Sequence, residues 1–406
     1  MTLDNLRIDM RDEPTFAQLS GCSHPYGPID LPFLEATHVR MARHIVGSFV
    51  SRYAGLLAAR GAADLAGIFE TWLSQPTTPE IVWDDAFGQV RACLTGPLGD
   101  VLVPESAASL GSRLCATGMA ARFEISLDRP SRHMFATWLL PRAAKLRFES
   151  DGADVSITVW GGGADGSLRF HRNGDTWHLA SRDVAAALSP LQVPRVERKG
   201  GRVQVLQRDA LFPLAMGDVE PIVPEVVDDA VCASVQEAYS IIRDHAPIYA
   251  DWVGRYSRRV VPLRSRPGLM MSSSSIYRPG TITMSHNAHP LGMAEILVHE
   301  NTHEHLHLAS ATGPLDDGSD TNLYYSPIRK IDRPLSAVLV AYHAVGNIAL
   351  FYRECRRSGA PGADYLDASE PEAMGWIAHM EETLSKSTAL TALGRAIYEP
   401  LRDQLR

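Results

Sequence analysis

Residues 290–309 read PLGMAEILVHENTHEHLHLA, and the expected fold turns on them. Pro290 stands where a missing N–H costs nothing, in the first turn of a helix. Ile296, Leu297 and Val298 supply an apolar anchor, and His299, Glu300 and His303 follow in the order H-E-x-x-H. Residues four apart share a helix face, so His299 and His303 can offer their ring nitrogens to one ion, with Glu300 as the catalytic carboxylate beside them. The predicted helix runs from Pro290 to the neighbourhood of Ala309. The chain holds 15 histidines, so the five-residue match alone is weak; the apolar lead-in and a third candidate ligand downstream strengthen it. His307 shares the face of His303 but lies two turns beyond His299, too far for all three to meet at one ion.

Downstream, a second predicted helix runs from Leu335 to the region of Arg357 and carries His343 among Val338, Leu339, Val340, Ala344 and Val345. A lone histidine in apolar surroundings is more often a satisfied core residue than a ligand. Here the connecting loop lets the two helices pack antiparallel, which makes His343 the first choice for a third metal ligand and Glu354, further along the same helix, the second. Asp316, Asp317 and Asp320 lie in that loop and read as turn and cap chemistry. Ser369-Glu370-Pro371-Glu372 has the form of a capping box and predicts the start of a last pair of helices.

Upstream, the pattern changes twice. Leu34, His38, Met41-Ala42, Ile45, Phe49 and Tyr53 recur at helical spacing, and helices are predicted on through residues 76–125, interrupted by Pro76, Pro79, Pro97 and Pro104. Over residues 145–210 the period shortens to two: Val155, Ile157 and Val159 alternate with polar neighbours, and Asn173-Gly174 before Trp177 marks a hairpin turn. Val203–Val205 reads as another short strand. Gly161-Gly162-Gly163 lacks the Gly-Lys-Ser/Thr that a phosphate loop needs and reads as a plain loop. Residues 213–224 read as a linker, and Thr281–Met284 as a short extended segment after a turn. The expected fold class is therefore α+β and mostly α-helical. It divides into a mixed region at 1–224, with a small antiparallel sheet and a role in substrate or partner recognition, and a helical metal-binding domain at 225–406.

Composition narrows the function. A net charge of -8 gives no basic field for nucleic acid or an anionic membrane. No apolar run reaches the length of a membrane span, and the charged start MTLDNLRIDMRDEP has no signal core. The five cysteines are scattered without a C-x-x-C pair, so a disulfide frame or cysteine zinc site is not expected, and a reducing cytoplasmic setting is.

Beyond the five-residue motif, an ordered set of blocks carries a resemblance. The run Ser272–Ser275, Pro279-Gly280, Ala294–His303 and Tyr324-Tyr325-Ser326-Pro327-Ile328-Arg329-Lys330-Ile331-Asp332-Arg333-Pro334-Leu335 resemble the HExxH proteins encoded beside ribosomal peptide natural products. That family is understood as iron(II)- and 2-oxoglutarate-dependent peptide β-hydroxylases. The likeness covers roughly residues 225–357. It departs from the family pattern at Asn301-Thr302, where a bulky pair is expected, and at Ile328, which stands in place of a Trp. The resemblance implies Fe(II) on His299, His303 and a third group. It implies 2-oxoglutarate as cosubstrate, and an amino-acid residue as substrate, free, in a peptide on a leader, or carrier-bound. Arg333, then Arg329, are the candidates for the distal carboxylate of 2-oxoglutarate, with Tyr324, Tyr325 and Ser326 as nearby donors. Apart from the resemblance, an ion pair with Asp332 is the simpler use for those arginines. Two other readings stay open on the motif itself: a Zn(II) metallopeptidase or hydrolase with Glu300 as general base, and a non-catalytic metal-binding protein.

Overall fold

In the computed structural model, residues 16–76, 83–95, 99–161, 165–183, 189–207, 226–264 and 270–406 are described. The expected linker at 213–224, residues Gly162 and Gly163, and the breaks at Pro79 and Pro97 lie outside them. The helical pattern after residue 30 folds as one long rod. Helix α1 (Phe16–Ser23) leads into α2 (Leu31–Ala59), which Asp30 caps by accepting the Phe33 N–H. The apolar stripe read from the sequence, Leu34 through Tyr53, is the buried face of α2. It packs on α3 (Ala63–Ser74) and α4 (Asp85–Thr95), and α5 (Val103–Ala116) closes this helical layer.

The period-two region forms an antiparallel sheet. Its strands are β1 (Ala121–Ser131), β4 (Ala143–Ser150), β5 (Asp154–Trp160), β6 (Gly166–Asn173) and β7 (Thr176–Asp183), hydrogen-bonded in that order. Val155, Ile157 and Val159 of β5 point inward, as alternation requires, and Gly174 takes the left-handed conformation in the β6–β7 turn at φ 59°. A small three-stranded ribbon of β2 (Met134–Phe135), β3 (Trp138–Leu139) and β8 (Leu191–Gln192) packs Phe135 and Trp138 against aromatic rings of β4, β6 and β7.

A second, mixed sheet was not foreseen. It joins β9 (Arg195–Arg198) and β10 (Gly201–Val205) to β11 (Arg259–Leu263), β12 (Ser272–Ser273) and β13 (Thr281–Ser285), in the spatial order β12-β13-β11-β10-β9. Strands β10, β11 and β13 run parallel, while β9 and β12 are antiparallel edges. Every residue of β11 and β13 is buried, so neither shows the alternation that marks a strand with one wet face. The expected division at residue 224 therefore does not separate one core from another: β9 and β10 pair with strands that follow it, and one hydrophobic cluster runs through both halves.

Helices α6 (Asp229–His245) and α7 (Pro247–Tyr256) precede the central α8 (Pro290–Ser310). Helix α8 packs on β13, α6, α7, α1 and α9 (Leu335–Ser358), the last as expected. A two-stranded hairpin, β14 (Tyr324–Ser326) and β15 (Ile331–Arg333), bridges α8 and α9, and α10 (Ala363–Leu384) and α11 (Ala392–Leu405) complete the chain. The expected capping box at 369–372 is overturned: these residues sit inside α10, with Pro371 within the helix and Gly362 at its N-cap. Glu370 and Asp367 instead pair with Arg356 of α9, and packing against α9 overrides the local start signal. Among the described residues α9 is the one helix long and apolar enough to cross a membrane, but 83% of its apolar window is buried inside the fold. The fold class is α+β, mostly helical.

Candidate metal centre

Helix α8 is held in register from several sides. One turn before His299, Glu295 accepts hydrogen bonds from Tyr352 Oη of α9 (2.6 Å) and Tyr365 Oη of α10 (2.5 Å). On the far side His305 stacks flat on Trp252, with ring centroids 3.9 Å apart, and its Nε2 meets the Trp252 carbonyl at 3.1 Å. Asn301 and Thr302, the small pair between the histidines, turn back on the helix and bond the carbonyls of Leu297 and Val298. A rotation of α8 would break the Glu295 and His305 contacts, so its remaining face is fixed.

That face carries His299 and His303, whose Nε2 atoms lie 3.1 Å apart. Metal–imidazole bonds of about 2.0–2.1 Å place two ligand nitrogens about 3.0–3.4 Å from each other, so the pair fits one ion. Burial pushes the His303 pKa down to about 4, helped by His299 and by Arg329 and Arg333, against the pull of Glu300. The ring is thus neutral at ordinary pH, as a ligand must be. Glu300 is buried beside the pair. Its Oε1 is 3.9 Å from His299 Nε2, and its Oε2 accepts from Ser274 Oγ at 2.6 Å. Ser274 follows β12 directly, so the antiparallel edge of the mixed sheet ends against the Glu300 carboxylate.

His343 is placed differently from the sequence expectation. It is buried on α9, and its Nε2 bonds the carbonyls of Cys22 (2.9 Å) and Ser23 (2.8 Å) at the end of α1, with Asn347 Nδ2 also on Ser23. Those carbonyls are the orphan acceptors of a helix C-terminus. His343 is therefore a helix-end clamp. Glu354, the second choice, accepts from Tyr26 and pairs with Arg357. Among the described residues no group of three His, Cys, Asp or Glu side chains gathers to hold an ion: two of the candidate ligands come together on α8 and the expected third does not. Asp316, Asp317 and Asp320 each accept a backbone N–H two residues on, the turn chemistry expected of them.

His343→Ala strips the buried Cys22 carbonyl of its side-chain donor, leaves Ser23 with Asn347 alone, and opens a void. The expected cost is about 2–4 kcal/mol of stability, read by denaturant unfolding. Metal uptake by the folded fraction should be unchanged; an undiminished stability with lost metal would return His343 to the ligand set.

The β14–β15 hairpin brings the arginines to the same place. Both guanidinium charges act on His303, and among the described residues neither makes an ion pair, so the simpler partnership with Asp332 is not formed. Directly opposed residues share a sheet face, which puts Tyr324 with Arg333 and Tyr325 with Asp332. Tyr325 thus faces away from Arg333 and meets His379 edge-on. Tyr324 donates its hydroxyl to Asp320 at 2.6 Å, and buried Ser326 accepts the Arg329 N–H across the turn at 3.5 Å. Of the three residues expected to help bind a cosubstrate, Tyr324 and Ser326 use their hydroxyls within the hairpin and its flanking loop, and Tyr325 turns its ring to His379. Ser274, Glu295, Tyr352 and Tyr365 were missed by sequence reading. Glu295 carried a signal, four residues before His299 on the same face; its tyrosine partners carried none.

No protein-family model matches the chain, and no curated protein matches it.

Proposed function

We propose that the protein is an iron(II)- and 2-oxoglutarate-dependent oxygenase that hydroxylates an unactivated carbon, the β carbon of an amino-acid residue, in a peptide or carrier-bound substrate of natural-product biosynthesis. The observation that carries this reading is the pair of guanidinium groups, without carboxylate partners among the described residues, beside the His299–His303 pair. A dicarboxylate needs one fixed cation a few ångströms from the ion it chelates, and a planar guanidinium binds carboxylate bidentately. Net, substrate C–H, O2 and 2-oxoglutarate become C–OH, succinate and CO2, one oxygen atom going to each organic product. Bound iron supplies the oxygen chemistry; His299 and His303 hold it, and two protein ligands leave positions for 2-oxoglutarate and oxygen. Glu300, fixed by Ser274, orients the site and takes no proton from water in this reading.

Arg333 is assigned to the distal carboxylate. It is half-buried on a strand, whereas Arg329 is exposed in the turn. Truncating one partner of a desolvated charge pair costs about 2–5 kcal/mol, and half-exposure puts Arg333 at the low end. Arg333→Ala is expected to raise the 2-oxoglutarate requirement roughly 30-fold with metal retained, read as succinate formed by iron-loaded protein under air.

A specific observation favours a second reading. One Glu300 oxygen faces the histidine pair, as a general base acting on metal-bound water in a Zn(II) hydrolase would. Succinate absent under all conditions, with zinc-dependent peptide cleavage abolished by Glu300→Gln, would establish the hydrolase in place of the oxygenase.

A further inference from the structure

The two ring nitrogens of His299 have different surroundings. Nε2 is turned toward His303 and lies 3.1 Å from that ring's Nε2. The nitrogens of an imidazole point in nearly opposite directions, so Nδ1 is turned away from His303. It makes no hydrogen bond among the described residues, and Glu300 approaches the ring at Nε2, at 3.9 Å. An imidazole that holds a metal through one nitrogen almost always donates its other N–H to a carboxylate, a carbonyl or water. On the side of His299 away from His303, one turn back on the same helix face, stands Glu295. Helical side chains lean toward the N-terminus, and residues four apart have Cβ atoms about 5–6 Å from each other, so the His299 ring lies over the turn that carries Glu295.

Glu295 is clamped from the other side. Tyr352 of α9 and Tyr365 of α10 both donate to its Oε2, and no hydrogen bond among the described residues uses Oε1. Tyr365 is itself fixed by stacking on His289, with ring planes 10° apart. Gly292 leaves it room: a Cβ there would lie 3.0 Å from Tyr365 Oη. Two hydroxyls spent on one oxygen leave the other open, and a carboxyl keeps acceptor capacity in either protonation state. Glu295 is not itself a third ligand. It lies two turns from His303, the same separation that puts His307 out of reach of an ion on His299.

We propose that Glu295 is a positioning residue of the metal centre: its Oε1 accepts the Nδ1–H of His299 and so presents Nε2 to the ion. Through the two tyrosines this bond ties the ligand to α9 and α10. The role rests on His299 and His303 being a metal pair, and it holds alike for iron and for zinc.

The test titrates Zn(II) into the full chain without 2-oxoglutarate, so no oxygenase activity enters it. The imidazole N–H resonances of the loaded protein are followed by proton–nitrogen NMR. The unaltered protein should show a slowly exchanging Nδ1–H of His299 at low field. Glu295→Leu should weaken Zn(II) binding roughly tenfold to a hundredfold, the usual worth of such a partner, and lose that resonance. Glu295→Gln keeps an acceptor oxygen and the side-chain shape, and decides the matter if the leucine variant does not fold. Its affinity should fall between the other two, with the His299 resonance moved upfield. The Nδ1–H of His303 should stay in place in both variants, which a general loosening of α8 would not allow. An undiminished affinity, or an unmoved His299 resonance, in either folded variant overturns the role. Unaltered protein that takes up no Zn(II) removes the metal pair itself, and the role with it.

Discussion

His303→Ala protein is expected to fold normally and to lose its metal. The side chain is half-buried, and its hydrogen-bonding contact is the other imidazole, so removing it relieves desolvation and leaves no buried orphan. Its effect on metal is the opposite. The described residues supply two imidazoles and no gathered third group, so each ring carries about half of the protein's hold on the ion. Loss of a mere supporting partner costs roughly 10–100-fold in metal affinity, and loss of one of two direct ligands should exceed that. His299→Ala should behave alike. Titration of Fe(II) or Zn(II) into each variant, with circular dichroism to confirm the fold, decides the matter. Undiminished affinity in either single variant would remove α8 as the metal-binding element.

Acid is expected to unfold the protein steeply. Burial holds His133 at about 4, and His38, His307 and His343 at about 3, against an ordinary 6.5, and it depresses His305 as well. Their folded pKa values lie below the unfolded ones, so between these limits the unfolded chain binds protons that the folded chain refuses. The stability they permit is fully present above about pH 6.5 and is lost as pH falls toward their folded values, at up to about 1.4 kcal/mol per unit for each. Buried carboxyls run the other way: Glu304 at about 8, and Asp85, Glu105 and Glu295 also raised, offset some of this loss down to about pH 4.5. Below that the offset ends and the histidines act unopposed. Against a usual domain stability of about 5–15 kcal/mol, unfolding should be complete between about pH 3.5 and 5. Tryptophan fluorescence and far-ultraviolet circular dichroism across pH 7 to 3 read this directly. A fold that survives at pH 3 would show that water reaches these rings.

The two helices that frame the site were legible because their information is local. Pro290 at the start of α8 and the dense apolar pattern of α9 carry their own signals, and the H-E-x-x-H spacing means the same thing in any fold. The mixed sheet was illegible for the opposite reason. The strand Arg259–Leu263 is buried along its whole length, and its two neighbours come from either side of it in the chain. His343 shows the limit most sharply. An apolar setting suits a metal ligand and a helix clamp equally, and its partner carbonyls lie more than three hundred residues away at Cys22 and Ser23. The Ser369–Glu372 signal failed where a start sequence was overruled by charge pairing to Arg356.

The parallel pairing of Gln204 with Arg259 and Val205 with Val260 has a consequence for how the protein can be divided. Cut at residue 225, the later piece would keep both histidines and the arginine hairpin but bare the inner edge of β11, leaving backbone groups unpaired on a strand buried along its whole length. Such an edge recruits other chains. The later half is not a cassette that can be lifted out and joined to a different first half. Changes of substrate must come by altering surfaces around an intact chain, and any ancestor that carried only the later half needed another strand in that slot.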